Sequence, residues 1–183
     1  MPRLACPEDP GVALHVVQRG RDRAPCFSGT ADRVAYLEAL RRAAERCRCA
    51  VHAYVLMANH VHLLVTPGDA GGASRLIEAT ADAYARYLAE AHGHEDTVWD
   101  ERYDGTPVRP RRYLLACMRY IEMNPLRAGL VRAPGAWRWS SYRANADGAP
   151  DALVTPHASY AALGRSPEAR RAAYRALFAR ALP

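Results

Sequence analysis

The sequence predicts an α+β fold: an antiparallel sheet with helices packed on it, followed by a C-terminal helical extension. Three observations predict it. Strand-like and helix-like segments follow one another as strand, helix, strand, strand, helix, strand-like segment, helix, an order close to the split βαβ pattern with helices over one sheet face. The strand segments are β-branched and end at glycine, proline or a short polar link. A loop-like stretch, "DGAPDALVTP", sets off a last amphipathic segment.

Each element has its own local reason. "VALHVVQRG" (12–20) is apolar and β-branched and closes on a glycine, so it reads as a strand. After the polar loop "RDRAPCFSGT", Ser28 or Thr30 is placed to cap a helix, "ADRVAYLEALRRAAERC", with Val34, Leu37 and Leu40 about a turn apart. "AVHAYVLM" (50–57) and "HVHLLVTP" (60–67) are two strands, and the link "AN" between them fits a tight hairpin. From Ser74, "RLIEATADAYARYLAEAHG" is a helix ending at Gly93. A short strand is expected at 98–103 or 106–109. "RRYLLACMRYIEMNP" is a helix stopped by Pro125, because the residue before a proline leaves the helical region. The segment "LRAGLVRAPGAWRWSSYRA" is compact and aromatic. The last helix opens with Ser166 as N-cap and Pro167 at its first position, and Ala173, Tyr174, Leu177 and Ala181 form its apolar stripe.

Bulk properties bound the function. The 183 residues suit one unit, 1–146, with a linker and helical tail, 147–183. Half the residues are hydrophobic, which excludes a disordered chain. No apolar run approaches the ~18 residues of a membrane span, and "MPRLACPEDPG" lacks a signal-peptide core, so a cytoplasmic protein with no membrane partner is expected. The five cysteines are odd in number and include no C-x-x-C pair; they read as free thiols in a reducing compartment. The formal charge is +6, and all 25 basic residues are arginine. Codon bias accounts for part of that, but guanidinium groups bind phosphate bidentately and stack on bases, which points towards a nucleic-acid partner.

The "ANHVHLLV" stretch (58–65) carries the sharpest chemistry. Alternate residues of a strand share a face and lie ~6.6 Å apart, so His60 and His62 can converge on one cation while Val61 and Leu63 face a core. The ordinary alternative is a pair of partly exposed histidines, since a catalytic metal needs three ligands and a structural one four. "HGH" at 92–94 has the same spacing but sits at a helix end, where no strand holds its rings in register. In the helix before Pro125, Tyr120 and Asn124 are four residues apart on one face, with Leu114, Cys117 or Met118, and Ile121 as the packed stripe. Asn124 offers an oxygen to a cation beside Tyr120; a C-terminal cap and an edge-of-core tyrosine are the plainer accounts of the two.

"AYVLMANHVHLLVTP", then "RYIEMNPLRAGLV", then "WRWSSY" resemble, in order and spacing over residues 13–142, the REP-associated tyrosine transposases, relatives of the single-tyrosine HUH insertion-sequence transposases. The resemblance implies a ferredoxin-like fold with the histidine pair on a central strand. It implies Tyr120 as nucleophile and His60, His62 and Asn124 as ligands of a divalent metal, Mg2+ or Mn2+. It also implies a substrate of single-stranded DNA folded into REP hairpins. Two stretches depart from the family pattern: "RGRDR" stands where R-G-N is common, and "VWDERY" where L-W-Q-x-R-F is common, with Trp99 and Arg102 retained. Members of this group tend to act as monomers, which is the expectation here, a homodimer being the alternative.

A phenol ionises only near pH ~10, so a tyrosine nucleophile needs help at neutral pH. A cation on a non-bridging phosphate oxygen makes phosphorus more electrophilic and neutralises developing charge. The product is a 5′-phosphotyrosine with a free 3′-hydroxyl, and attack on that ester rejoins a strand without ATP. Two imidazoles with an amide oxygen suit manganese better than magnesium. Arg19, Arg21 and Arg23 after the first strand, and Arg102, Arg109, Arg111 and Arg112 before the tyrosine helix, are the candidate DNA contacts; each alone also reads as a solvated loop charge. Competing readings are a non-catalytic DNA-binding protein on the same fold and a metal-dependent hydrolase that uses water.

Overall fold

The apolar alternation of residues 12–20 does build a strand, and it becomes one of the two central strands of the sheet. The computed structural model describes residues 9–94, 96–109 and 112–179. Its strands are β1 (Leu14–Arg19), β2 (Cys49–Leu56), β3 (His60–Pro67) and β4 (Asp104–Pro107), and its α-helices are α1 (Thr30–Arg46), α2 (Gly72–His92), α3 (Arg112–Glu122), α4 (Asn124–Arg127), α5 (Ala158–Ala161) and α6 (Pro167–Phe178). The sheet runs β2-β3-β1-β4, every neighbouring pair antiparallel. That is the ferredoxin-like order, because each strand–helix–strand unit skips one place. No helix among the described residues is long and apolar enough to cross a membrane.

Register decides which side chains share a face. Val17 pairs with His62, Arg19 with His60 and His15 with Leu64, so these six lie on one face. Leu14, Val16, Val61, Leu63 and Val65 lie on the other, buried with Leu40, Leu76 and Tyr84 under α1 and α2. A bulge at His52 of β2 resets the alternation, so that Tyr54 and Leu56 join that core while Ala53 and Val55 turn to the histidine face. Helices therefore cover both faces, not one as the element order suggested. Leu114, Met118 and Ile121 of α3 bury against Ala53, Val55 and Leu64. The sequence signal for this second layer was weak because it is assembled from short, distant segments.

Local differences from expectation have local causes. Gly29, rather than Ser28 or Thr30, is the N-cap of α1, and the carboxylate of Asp32 in the first turn accepts the backbone N–H groups of Ser28 and Gly29. β4 starts two residues before the second predicted position and overlaps it at Thr106 and Pro107; "DGTP" lacks apolar alternation and is a strand by pairing with β1. Pro125 does not merely stop α3; it sits in the first turn of α4, where its missing N–H costs nothing.

The aromatic segment after α4 covers the outer edge of β2. The Leu56 N–H donates to the Trp139 carbonyl (2.9 Å), Ser141 N–H to Tyr54 O (3.0 Å) and Trp137 Nε1–H to Leu56 O (3.1 Å). Thr155 N–H donates to Val51 O at 2.7 Å, so the stretch read as a linker also lies along β2. An edge strand covered in this way is protected from pairing with other chains. Trp137 and Trp139 pack here rather than standing free to stack on bases. The tail also reaches the end of α3: buried Glu122 accepts hydrogen bonds from Ser141 Oγ (2.6 Å), Asn145 Nδ2 (2.8 Å) and the Tyr174 hydroxyl (2.8 Å).

Candidate active site

On the α3 face, β3 presents two imidazoles at the end nearest the β2–β3 turn. The His60 and His62 ring centroids are 5.0 Å apart with the planes at 81°. His62 is only 6% exposed, whereas His60 is half-buried. Burial, then the neighbouring charges of His15, His60 and Arg19, lowers the His62 pKa to about 3; burial and Arg19 lower that of His60 as well. Both are neutral at pH 7, which is the state in which an imidazole nitrogen offers a lone pair to a cation.

Tyr120 stands beside His62. The apolar stripe of α3 packs on the sheet and turns Tyr120 towards the histidines, 37% exposed. Its ring centroid lies 6.0 Å from that of His62 and 5.8 Å from that of His15, both edge-on. Arg127 of α4 lays its guanidinium over the same ring, 5.1 Å from the centroid. It makes no ion pair with a carboxylate among the described residues, so its charge is open to an incoming anion. Asn124 donates through Nδ2 to the Tyr120 and Ile121 carbonyls (2.9 and 3.2 Å), closing the end of α3. Because both partners only accept, the amide nitrogen must face them and the amide oxygen faces away.

The arginines divide. Arg19 lies beside His60 and pairs with Asp104 across β1 and β4. Arg21 and Arg23 occupy the tight turn just beyond, both exposed. Arg102 is exposed near the same end of β1, where Asp100 N–H bonds Arg19 O. Arg109 is at the other end of β1, ion-paired with Asp9. Arg111 lies outside the described residues, and the side chain of Arg112, the first residue of α3, is likewise not described.

Three participants escaped the sequence reading. His15 stacks on His62 (centroids 5.1 Å, planes at 19°) with His15 Nε2 2.9 Å from His62 Nδ1. The available signal was a lone histidine in an apolar strand, ambiguous until the β1–β3 register is known. Asn59 is more than a turn residue: its Oδ1 lies 2.8 Å from His60 Nδ1 and its Nδ2 3.1 Å from the Arg23 carbonyl. Glu122 anchors the end of α3, as above. The turn that Asn59 adjoins is strained, with Asp22 and Arg23 at φ 54° and 61°, a left-handed conformation costing a non-glycine residue about 1–2 kcal/mol. Gly20 opens it because a Cβ there would run into the Ala24 carbonyl oxygen.

Other histidines show what a structural role looks like. Both nitrogens of His52 are engaged, by Thr155 O (2.7 Å) and Thr66 Oγ1 (2.8 Å). His92 Nε2 bonds buried Asp32 at 2.8 Å. Unlike His52, His60 and His62 each have, among the described residues, one nitrogen held and one unengaged, the pattern of metal-ligating imidazoles. The donor set fits a divalent cation in part: among the described residues no three His, Cys, Asp or Glu side chains are placed to hold one ion together. A third position would fall to the Asn124 oxygen, water or substrate.

Residues 10–124 match the family model described as IS200-like transposase. No match to a curated protein was found. Among solved structures, that of a REP-associated tyrosine transposase bound to a REP hairpin is similar with a TM-score of 0.68 at 17% identity, covering 86% of this chain and 93% of that one. A protein from Deinococcus radiodurans described as a candidate transposase aligns with a TM-score of 0.45 at 20% identity, over 67% of this chain and 95% of that one.

Proposed function

Given that the chain belongs to the IS200-like transposase family, a family of DNA transposases, we propose that it cuts and rejoins single-stranded DNA through Tyr120, acting on REP-like hairpins. The observation that carries this reading is the placement of the solvent-exposed Tyr120 ring 6.0 Å from that of His62, one of a pair of neutral imidazoles. In the proposed step the phenol oxygen bonds to phosphorus and the bond to the 3′ oxygen breaks. The phenolic proton is balanced by protonation of that oxygen, leaving a 3′-hydroxyl and a 5′-phosphotyrosine. The reverse attack by that or another 3′-hydroxyl restores a phosphodiester and frees Tyr120, so the energy of the ester is retained.

His60 and His62, with Asn124, would hold Mg2+ or Mn2+, which polarises the phosphate when bound. For His62 to offer Nε2, its Nδ1 must carry the proton and donate it to His15 Nε2; His15 thereby orients the ring. Arg127 places a positive charge where a phosphate meets the Tyr120 ring, a suitable partner for non-bridging oxygens. Arg19, Arg21, Arg23 and Arg102 border the same end of the sheet and would follow the DNA backbone, with Arg111 and Arg112 as further candidates. His60, His62 and Tyr120 come together within one chain, which favours a monomer that needs no partner to complete the site. Residues 1–146 would be the catalytic unit and 147–183 its tail, working in the cytoplasm.

The test is incubation of a hairpin DNA oligonucleotide with the protein and manganese, followed by a denaturing gel. A covalent protein–DNA adduct is expected, and Tyr120→Phe should abolish it while leaving DNA binding within about twofold. Cleavage without an adduct, indifferent to that substitution, would replace this reading with hydrolysis by water. Binding without cleavage would leave a DNA-binding module.

A further inference from the structure

One side chain joins the strained turn after β1 to the histidine strand. We propose that Asn59 is a positioning residue that locks His60 in the tautomer exposing Nε2 and ties that lock to the turn Arg21–Arg23, so that DNA on the turn and metal on His60 are coupled. The proposal rests on the reading of His60 as a metal ligand, and deepens it.

The tautomer follows from the two hydrogen bonds. The Arg23 carbonyl, 3.1 Å from Asn59 Nδ2, can only accept. The amide is therefore oriented, and its oxygen is the atom 2.8 Å from His60 Nδ1. An amide oxygen also only accepts, so Nδ1 must carry the hydrogen. A neutral imidazole has one such hydrogen, which leaves the Nε2 lone pair for a cation.

The coupling follows from what holds the turn. Asp22 and Arg23 are consecutive left-handed residues, a conformation maintained by contacts outside themselves. Gly20 N–H donates to Asn59 O (2.8 Å), Cys26 N–H to Ala58 O (2.8 Å) and Arg21 N–H to Val98 O (2.9 Å). Two of these three backbone contacts reach the β2–β3 turn, and the side-chain contact to Asn59 is a third tie to it. A phosphate drawn to Arg21 or Arg23 bears directly on the carbonyl that orients Asn59. By linkage, whatever DNA does to metal affinity, metal does equally to DNA affinity.

Two variants separate the two halves of the proposal. Asn59→Ala removes the acceptor for His60. Asn59→Asp keeps an acceptor for His60 but loses the N–H that holds the Arg23 carbonyl. Long-range 1H–15N spectra of the metal-free protein should show His60 as the Nδ1–H tautomer in the native chain and in Asn59→Asp, and as Nε2–H or a mixture in Asn59→Ala. Manganese affinity, read by electron paramagnetic resonance, should fall about 10–100-fold in Asn59→Ala. A hairpin DNA oligonucleotide should change manganese affinity at least about fivefold in the native chain and by less than that in Asn59→Asp. An Nε2–H signal for His60 in the native chain, or an unchanged tautomer in Asn59→Ala, overturns the lock. Unchanged manganese affinity with DNA bound to the native chain overturns the coupling. If His60→Ala leaves manganese affinity intact, the ligand reading fails instead, and the spectra still decide what Asn59 does to the ring.

Discussion

The two faces of the sheet are packed by different means. Under α1 and α2, Phe27, Tyr36, Tyr84 and Trp99 meet ring to ring at 5.4–6.1 Å, and the strand residues on that face are mostly aliphatic, with Gln18, Cys49 and Tyr54 as the exceptions. Under α3 the apolar contact is confined to β2 and the distal half of β3. Beyond it stand His15, His60, His62 and Tyr120, and below it a carboxylate held by three donors. One face thus supplies the burial that keeps the chain folded. The other can hold polar, partly exposed groups in fixed places because it is not asked to supply most of the stability.

The largest effects should divide along that line. His60→Ala removes a half-buried side chain that packs little, so unfolding free energy should change by no more than about 1 kcal/mol. Adduct formation should fall more than about 100-fold, the loss that a merely supporting residue can already cause. Leu76→Ala, in α2 and fully buried, should do the reverse: about 2–5 kcal/mol of stability lost in urea titrations, with adduct formation by the folded fraction unchanged. If His60→Ala unfolds the chain, or Leu76→Ala selectively stops cleavage, the division between the faces is wrong.

The same contrast explains what was legible in the sequence. The α1/α2 face is built from long periodic segments, so β1, α1, β2, β3 and α2 could be read locally, with boundaries shifted by a residue or two. Tyr120, His60 and His62 were legible because strand and helix spacing alone puts each on a definite face. His15 was not, because its role depends on the pairing of Val17 with His62, which no local pattern encodes. Local pattern places Asn59 in the β2–β3 turn, where it does lie, but its side chain bridges to Arg23, 36 residues away. β4 and the covering of β2 by residues 139–155 likewise exist only through tertiary pairing.

A smaller effect tests the carboxylate. Burial raises the Glu122 pKa to about 7, against 4.5 ordinarily, although its three hydrogen-bond donors pull the other way. Between those values the folded chain holds a proton that the unfolded chain has released. Its contribution is therefore complete below the ordinary value and lost as pH rises through about 7. His62 and His52 act in the opposite sense. Their pKa values are lowered to about 3 and about 4, so their contribution is full above 6.5 and lost as pH falls towards those values. Glu122→Gln removes only the alkaline arm. It should cost no more than about 1 kcal/mol near pH ~5, where the protonated carboxyl already donates one hydrogen to its partners as an amide would, and that penalty should shrink near pH ~8. A penalty that grows with pH would mean that Glu122 is ionised in the folded chain and that its donors outweigh its burial.

The smallest effects fall on single arginines, and they sharpen the comparison by position along β1. Arg23 stands in the turn next to Asn59, at the His60 end. Arg109 is at the opposite end, its charge engaged by Asp9. If hairpin DNA lies across the histidine end, Arg23→Ala should weaken binding a few-fold and reduce the slope of log affinity against log salt by about 1. Arg109→Ala should change neither beyond about twofold, because a guanidinium already paired with a carboxylate has less charge to offer a phosphate. Equal losses in the two variants would place the DNA along the whole length of β1 and β4. The path of the strand would then be set by the edge of the sheet as much as by the turn.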